Sequence, residues 1–288
     1  MDGEVTYSLA TIDSPNITNI RILSYHDYES ISQIINKLEK FQHDEALYSI
    51  IELNLNDLNQ RCKFYLEKYA ENPKLDSKEF SLQFLDLNRI ILNTLSSIRT
   101  YLDHTETRLK RNFGNESEEF LLFKRLTSEC FDNYFSYRFL SKLRNYAQHC
   151  GLPTGSINLT DDVNGYKLEL SLLRDDLLGS FDSWGLNVKP DLQNQDSQFD
   201  ILPLLEEKTE LLRDVNTKMN SLILQKLKYQ GENLLKLIEE TQIKGKGIPC
   251  LLRVFGDVDS PTMQIKWFPY EVITKITGVK INMIYHKE

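Results

Sequence analysis

Cysteine is sparse in this chain, while long apolar runs and an excess of positive charge are missing, and each of these features excludes a class of protein. The four cysteines are scattered and form no Cys-x-x-Cys pair, so the sequence predicts neither a disulfide framework nor a zinc site. No apolar run approaches the roughly 18 residues of a membrane span, and the N-terminal residues do not resemble a signal peptide. We therefore expect a cytoplasmic protein without membrane contact.

The formal net charge of −8 argues against a generally basic surface for binding nucleic acid. Any site for nucleic acid must then be local. Between Asp86 and Cys150, ten Lys and Arg stand against eight Asp and Glu, a balance of +2. Phosphate-loop, dinucleotide and His-Glu-x-x-His motifs are also missing, so the sequence predicts no cofactor and no metal, and gives no support to an ATPase, a dehydrogenase or a zinc hydrolase.

The first part of the chain predicts an accessory arm that leads into helices. A strand-like run at 20–25 precedes a short helical run at 28–41, and a second helix is expected over 45–69. Asp76 then caps the most regular helix of the sequence. Its apolar residues recur every three or four positions and predict a buried stripe: Phe80, Phe84, Leu87, Ile91, Leu95, Ile98 and Leu102.

A second long helix is expected after the break at Gly114, with an acidic first turn, and it runs as one helix to His149. The two helices should form an antiparallel hairpin in which position n faces roughly position 230 minus n. This register sets Asp86 opposite Arg144, so Asp86 and Arg89 become candidate residues lining a site there.

The rest of the chain predicts small β elements and one further long helix. In order, we expect a hairpin near 156–172, a short helix at 173–184, a polar loop at 187–199, a helix at 203–241, strands at 250–255 and 262–267, and a helix at 269–277. The fold class is mainly α: an antiparallel helical bundle with small β insertions. The predicted division is an N-terminal arm (1–42), a helical domain (43–243) and a small α+β element (244–288).

Candidate chemistry comes from one six-residue motif, Arg144-Asn145-Tyr146-Ala147-Gln148-His149. Arg, four residues and His also occur from Arg21 and from Arg99. The first of those lies in a strand-like run and the second in a solvated mid-helix face. The motif at 144–149 differs because Asn145 follows the arginine and because Gly151 and Pro153 end the helix behind it.

The residue types of the motif suit a phosphodiester. An arginine holds phosphate with a planar fork of donors, and a histidine moves a proton near neutral pH. Asn145 lies four residues before His149, on the same helix face, and is the natural group to orient the imidazole. Arg144 and His149 are about 140° apart on an ideal helix, so either the arginine swings round or a second copy completes the site.

Simpler interpretations of these residues stay open. Arg144 could make a surface ion pair while His149 interacts with the last carbonyls of its helix. Cys150 with His149 as base is a weaker alternative, because adjacent helical residues point in different directions.

The stretch 131–153, with aromatic residues interleaved with Arg138, Lys142 and Arg144, resembles the motif helix of the HEPN domains. The resemblance implies a HEPN-like helical bundle that dimerises through this helix and acts as a metal-independent endoribonuclease. Arg144, Asn145 and His149 would be catalytic, the product would be a 2′,3′-cyclic phosphate, and Arg138 and Lys142 are candidate RNA contacts.

The same resemblance implies a setting and possible partners. It suggests a toxin–antitoxin or phage-defence context, with an antitoxin or another regulatory protein as partner. Two alternatives remain: a HEPN-like protein that binds nucleotide or RNA without cutting it, and a helical dimeric interaction protein whose motif is coincidental.

Overall fold

The computed structural model describes residues 5–74, 76–162, 165–257 and 260–281. These residues form nine helices and seven strands, so the chain is mainly helical with small antiparallel sheets, as predicted. The helices are α1 (Tyr25–Glu71), α2 (Ser77–Phe113), α3 (Glu118–Asn133), α4 (Phe135–His149), α5 (Arg174–Ser180), α6 (Gly185–Gln193), α7 (Leu202–Lys226), α8 (Lys228–Lys244) and α9 (Tyr270–Thr277). The strands are β1 (Thr6–Asp13), β2 (Asn16–Leu23), β3 (Ser156–Asp162), β4 (Gly165–Leu173), β5 (Gln198–Asp200), β6 (Ile248–Asp257) and β7 (Ser260–Trp267).

The chain divides into two compact units, between Glu45 and Ala46 and again between Met219 and Asn220. In the unit made from both ends of the chain, β1 pairs antiparallel with β2 and with β6, and the sheet order is β2-β1-β6-β7. Leu9 stands beside Leu251 in this pairing, and both are fully buried. Local sequence patterns predict these strands in an arm and in a separate element, because pairing across more than 200 residues leaves no local signal.

The unit from Ala46 to Met219 contains the second sheet, with order β3-β4-β5. The predicted β-hairpin is confirmed, and its strands pair from Ser156 opposite Ser171 to Asp162 opposite Gly165. Two apolar clusters form the core of this unit, one around Phe139 and Trp184 and the other around residues of α2, α3 and α7.

The helix expected after Asp76 is confirmed as α2. The Asp76 carboxylate accepts a hydrogen bond from the Glu79 backbone N–H at 2.8 Å, and the helix ends before Gly114. The central part of the apolar stripe is buried, and its first member, Phe80, is 38% exposed. The stripe therefore packs in the core along most of its length, as its spacing predicts.

Two helical predictions differ from the structure in the position of breaks. The runs expected at 28–41 and 45–69 form one helix, α1, of 47 residues, since no glycine or proline separates them. The long helix expected at 203–241 is instead divided at Leu227 into α7 and α8. Part of the predicted polar loop at 187–199 is helical, as α6.

The single helix expected from residue 116 to His149 is also two helices. Tyr134 has extended backbone angles, φ −122° and ψ 120°, and separates α3 from α4. One contact of α3 fits the predicted register. Lys124 Nζ lies 3.8 Å from the Glu106 carboxylate, and the residue numbers 124 and 106 sum to 230 as the register requires. The break at Tyr134 ends the continuous helix from which the register was counted, so that register does not fix the neighbours of Arg144.

Among the described residues, no helix combines the length and the apolar character that crossing a lipid bilayer requires.

Candidate functional site

The motif occupies the last two turns of α4. This helix ends at His149, where the Cys150 backbone N–H donates to the Tyr146 carbonyl at 2.8 Å. A side chain added at Gly151 would place its Cβ 3.1 Å from the Tyr146 hydroxyl oxygen. Glycine thus lets the chain leave the helix close against this ring.

Aromatic packing fixes the buried face of α4. The Trp184 ring stacks on Tyr146, with centroids 6.1 Å apart, and on Phe139, with centroids 5.6 Å apart. Leu143 between them is fully buried. These contacts set the rotation of the helix, while Arg144 and Asn145 are half-buried and His149 is exposed.

Hydrogen bonds within the motif link Arg144 to Gln148 and Asn145. Arg144 Nη1 donates to Gln148 Oε1 at 2.5 Å and to Asn145 Oδ1 at 3.5 Å. The Nε atom of Arg144 is buried and has no hydrogen-bond partner among the described residues. The guanidinium is therefore partly held in place and keeps unused hydrogen-bonding capacity.

The predicted hydrogen bond from Asn145 to His149 does not occur in this arrangement. The Asn145 carbonyl oxygen accepts from Arg144 instead. Within the described part of the chain, the His149 side chain makes no hydrogen bond, and it is exposed at the helix end. Its imidazole is thus accessible, and the orienting role of Asn145 stays a prediction.

Arg138, a candidate RNA contact, is used within the fold. Its Nε and Nη2 donate to the Asp191 carboxylate at 2.9 and 2.6 Å, and Nη1 donates to the carbonyls of Phe131 and Asp132. The side chain is 14% exposed. These contacts tie α4 to α6 and to the end of α3, and they occupy the guanidinium in the free protein.

Lys142, the other candidate RNA contact, lies in a different environment from Arg138. It lines an open groove of about 500 Å³ between α2, α3 and α4, which we call the charged groove. Asn145 of the motif lines the same groove. The charged residues along it are Arg99, Asp103, Glu106, Lys124, Asp132 and Lys142.

Asp86 and Arg89 form an ion-pair cluster with α1. The Asp86 carboxylate accepts from the Tyr65 hydroxyl at 2.8 Å and from Arg89 Nη2 at 2.8 Å, and Arg61 Nε lies 3.2 Å away. Although partial burial opposes it, hydrogen bonds from Arg89 and Tyr65 and the charges of Arg89 and Arg61 hold the pKa of Asp86 below its ordinary value. The polar partners of Asp86 are thus in α1 and α2, not in the motif.

Two polar residues that the sequence analysis missed support the region around the motif. Asn88 is buried, and its carbonyl oxygen accepts from the Thr154 backbone N–H at 3.1 Å and from the Thr154 hydroxyl at 3.0 Å. These bonds fix the segment that follows α4. Asn88 interrupts the apolar pattern of α2 next to Leu87, and this polar residue at a core position was the available signal.

Lys208 of α7 is the second missed residue. Its side chain is fully buried and donates to the Tyr137 carbonyl at 3.0 Å and to Ser141 Oγ at 2.8 Å. Burial, reinforced by the nearby charge of Arg99, lowers the pKa of Lys208 to about 7. Lys208 lies three residues after Leu205 and four before Leu212, so its position falls on the apolar face of α7. A lysine at such a position was the available sequence signal.

Comparison of this chain with protein-family models, with curated proteins and with solved structures found no match.

Proposed function

We propose that this protein is a metal-independent endoribonuclease of HEPN type that acts as a homodimer. The proposal rests on the sequence motif, and one structural observation supports it: His149 is exposed at the end of α4, one turn beyond Asn145 of the charged groove. An accessible imidazole beside a polar groove suits proton transfer to and from a bound RNA.

The proposed chemistry needs a base, an acid and a cation. His149 of one copy removes the proton from a ribose 2′-hydroxyl, and the 2′-oxygen attacks the adjacent phosphorus. The bond from phosphorus to the 5′-oxygen breaks, and that oxygen takes a proton from the second imidazole. Arg144 stabilises the charge on the phosphate. The products are a 2′,3′-cyclic phosphate and a 5′-hydroxyl.

The proposed dimer follows from the positions of these groups on α4. Arg144 and His149 are about 140° apart on an ideal helix, so one copy does not readily direct both at the same phosphate. A two-fold axis beside α4 would bring the arginine of one copy to the histidine of the other. The exposure of His149 and Cys150 leaves this end of the helix accessible for such a contact.

The experiment that tests the proposal is cleavage of labelled single-stranded RNA in EDTA. We expect the parent protein to produce ends with a 2′,3′-cyclic phosphate, and we expect no cleavage of DNA of the same sequence, which lacks the attacking hydroxyl. His149→Ala should abolish cleavage. His104→Ala is the matched control, because His104 is also exposed and also follows an arginine by five residues.

The outcomes separate the candidate functions. Cleavage by the parent and His104→Ala, but not by His149→Ala, supports the ribonuclease. Equal cleavage by all three would place the activity elsewhere and contradict the proposal. RNA binding without cleavage, lost in Arg144→Ala, would favour the alternative of a non-catalytic RNA-binding protein. That alternative has its own support, because Arg144 is held by Gln148 and Asn145.

A further inference from the structure

The charged groove has the size and polarity of a binding site for a small polar group. Its volume of about 500 Å³ falls within the range of ligand sites in proteins. Charged and hydroxyl-bearing side chains from three helices line much of it. A wholly apolar ligand would leave those polar groups without hydrogen bonds, so the groove suits a ligand with polar groups of its own.

Four of the six charged residues of the groove take part in ion pairs. Arg99 Nε lies 2.7 Å from the Asp103 carboxylate, and the Glu106 carboxylate is shared between Lys124 Nζ at 3.8 Å and Lys110 Nζ, from outside the groove, at 2.9 Å. Lys142 and Asp132 remain, and neither has an ion-pair partner among the described residues. The groove thus offers one cation and one carboxylate outside ion pairs, which suits a ligand with an anionic end and a hydrogen-bond-donating end better than a simple polyanion.

Lys208 supports the wall of the groove on the α4 side. It binds the Tyr137 carbonyl and the Ser141 hydroxyl from behind, and both of those residues line the groove. The hydroxyl of Ser141 in turn donates to the Tyr137 carbonyl at 2.8 Å. This wall is therefore formed before a ligand arrives, which lowers the entropic cost of binding.

The groove and the motif share one face of α4. Lys142, Asn145 and His149 are spaced by three and four residues, so they follow one another along the helix. Lys142 and His149 are about 10 Å apart along the axis, at about 1.5 Å per residue. A group bound at Lys142 and Asn145 would lie within one nucleotide's reach of His149.

We propose that the charged groove binds one nucleotide unit of the RNA substrate. Its phosphate is held by Lys142 and the Asn145 amide, and the amino group of its base donates to the Asp132 carboxylate. A carboxylate accepts from the cytosine N4 amino group, whereas uracil has a carbonyl there, so the groove prefers cytosine to uracil. As a subsite for RNA this inference rests on the proposed function, but nucleotide binding can be measured without cleavage.

The test is calorimetric titration with CMP, UMP, cytidine and inorganic phosphate. We expect CMP to bind at least fivefold more tightly than each of the others. Lys142→Ala should weaken CMP binding at least tenfold, and Lys142→Arg should restore most of it. Asp132→Ala should reduce the preference for CMP over UMP to less than twofold. Lys63→Ala is the matched control, because it removes the same charge from an exposed position on α1, and it should bind like the parent.

Competition with a short labelled oligoribonucleotide distinguishes free nucleotide from RNA. Displacement of CMP by the oligonucleotide supports a subsite for RNA, whereas CMP binding without displacement would overturn the RNA part of the proposal. Equal CMP affinity in the parent and Lys142→Ala would overturn the site itself.

The two proposals fail in different ways. If CMP binds in a Lys142-dependent manner but no RNA is cleaved, the proposed nucleotide site is supported and the proposed ribonuclease activity is contradicted. If cleavage depends on His149 while Lys142→Ala binds CMP and cuts RNA like the parent, the proposed ribonuclease activity is supported and the proposed nucleotide site is contradicted. His149 does not line the groove, so His149→Ala should retain CMP binding in either case.

Discussion

Lys208 is a buried amine that faces a carbonyl and a hydroxyl rather than a carboxylate. Removing an ammonium group from water is expensive, and hydrogen bonds to neutral acceptors recover only part of the cost. This is the physical reason why its pKa falls from 10.5 to about 7. Because the unfolded chain binds the proton more tightly than the folded chain does, Lys208 destabilises the fold whenever both states are protonated.

We predict that this destabilisation is fully present below about pH 7 and is relieved as the pH rises toward 10.5. Each pKa unit corresponds to about 1.4 kcal/mol, so the whole effect is on the order of several kcal/mol. Lys208→Met should be more stable than the parent at pH 6, and the difference should shrink by pH 9. Denaturant unfolding at several pH values measures this difference, and a difference independent of pH would contradict the prediction.

Arg138 and Lys142 show how far residue types alone can identify binding residues. They are four apart on α4, and the sequence analysis assigned both to RNA. The structure places Asp191 of α6 against Arg138, while it leaves Lys142 in the charged groove. The difference depends on a residue 53 positions from Arg138, so it could not be read from α4 itself.

At the scale of elements, the break between α3 and α4 decides which residues surround the motif. No glycine or proline marks Tyr134, so the sequence contained no ordinary signal for it. Arg138 supplies a physical reason, because its guanidinium satisfies the Phe131 and Asp132 carbonyls at the end of α3. Asn145 of α4 lines a groove together with Arg99 and Asp103 of α2.

The segment after α4 depends on Asn88, which gives a prediction at this scale. Asn88→Ala leaves the buried Thr154 backbone N–H without its acceptor, and we expect a loss of about 2 kcal/mol in the free energy of unfolding. Asn93→Ala, an exposed position on the same helix, is the control and should change stability by less than about 0.5 kcal/mol. Chemical denaturation compares them, and equal effects would show that the contact with Thr154 contributes nothing.

At the scale of the whole molecule, the net charge of −8 constrains how RNA is bound. In the proposed dimer both copies contact one RNA, so Lys142 and Arg144 of the two copies offer about four phosphate contacts. Binding to single strands weakens with salt at a slope of about −0.7 per contact, so we predict a slope of about −2.8 in a plot of log affinity against log salt concentration. Fluorescence titration of labelled RNA from 50 to 300 mM salt measures it. A slope steeper than about −4 would point to an extended basic surface instead.

The strand pairing of the chain ends is the largest feature that sequence reasoning did not reach. β1 and β6 are separated by more than 200 residues, and each reads locally as an ordinary strand. Their pairing joins the two ends into one unit. Only the tertiary structure could decide it, because many strand partners satisfy the same alternation of apolar and polar residues.

The sequence by itself determined what depends on neighbouring residues. The cap and stripe of α2, the β3–β4 hairpin and the stop of α4 before Gly151 follow from spacing, capping and backbone freedom over a few positions. The tertiary structure decided what depends on distant partners: the turn at Tyr134, the burial of Lys208, the capture of Arg138 and the assembly of the charged groove. Those outcomes depend on which side chain fills a space or satisfies a polar group, and folding settles that only when distant segments meet.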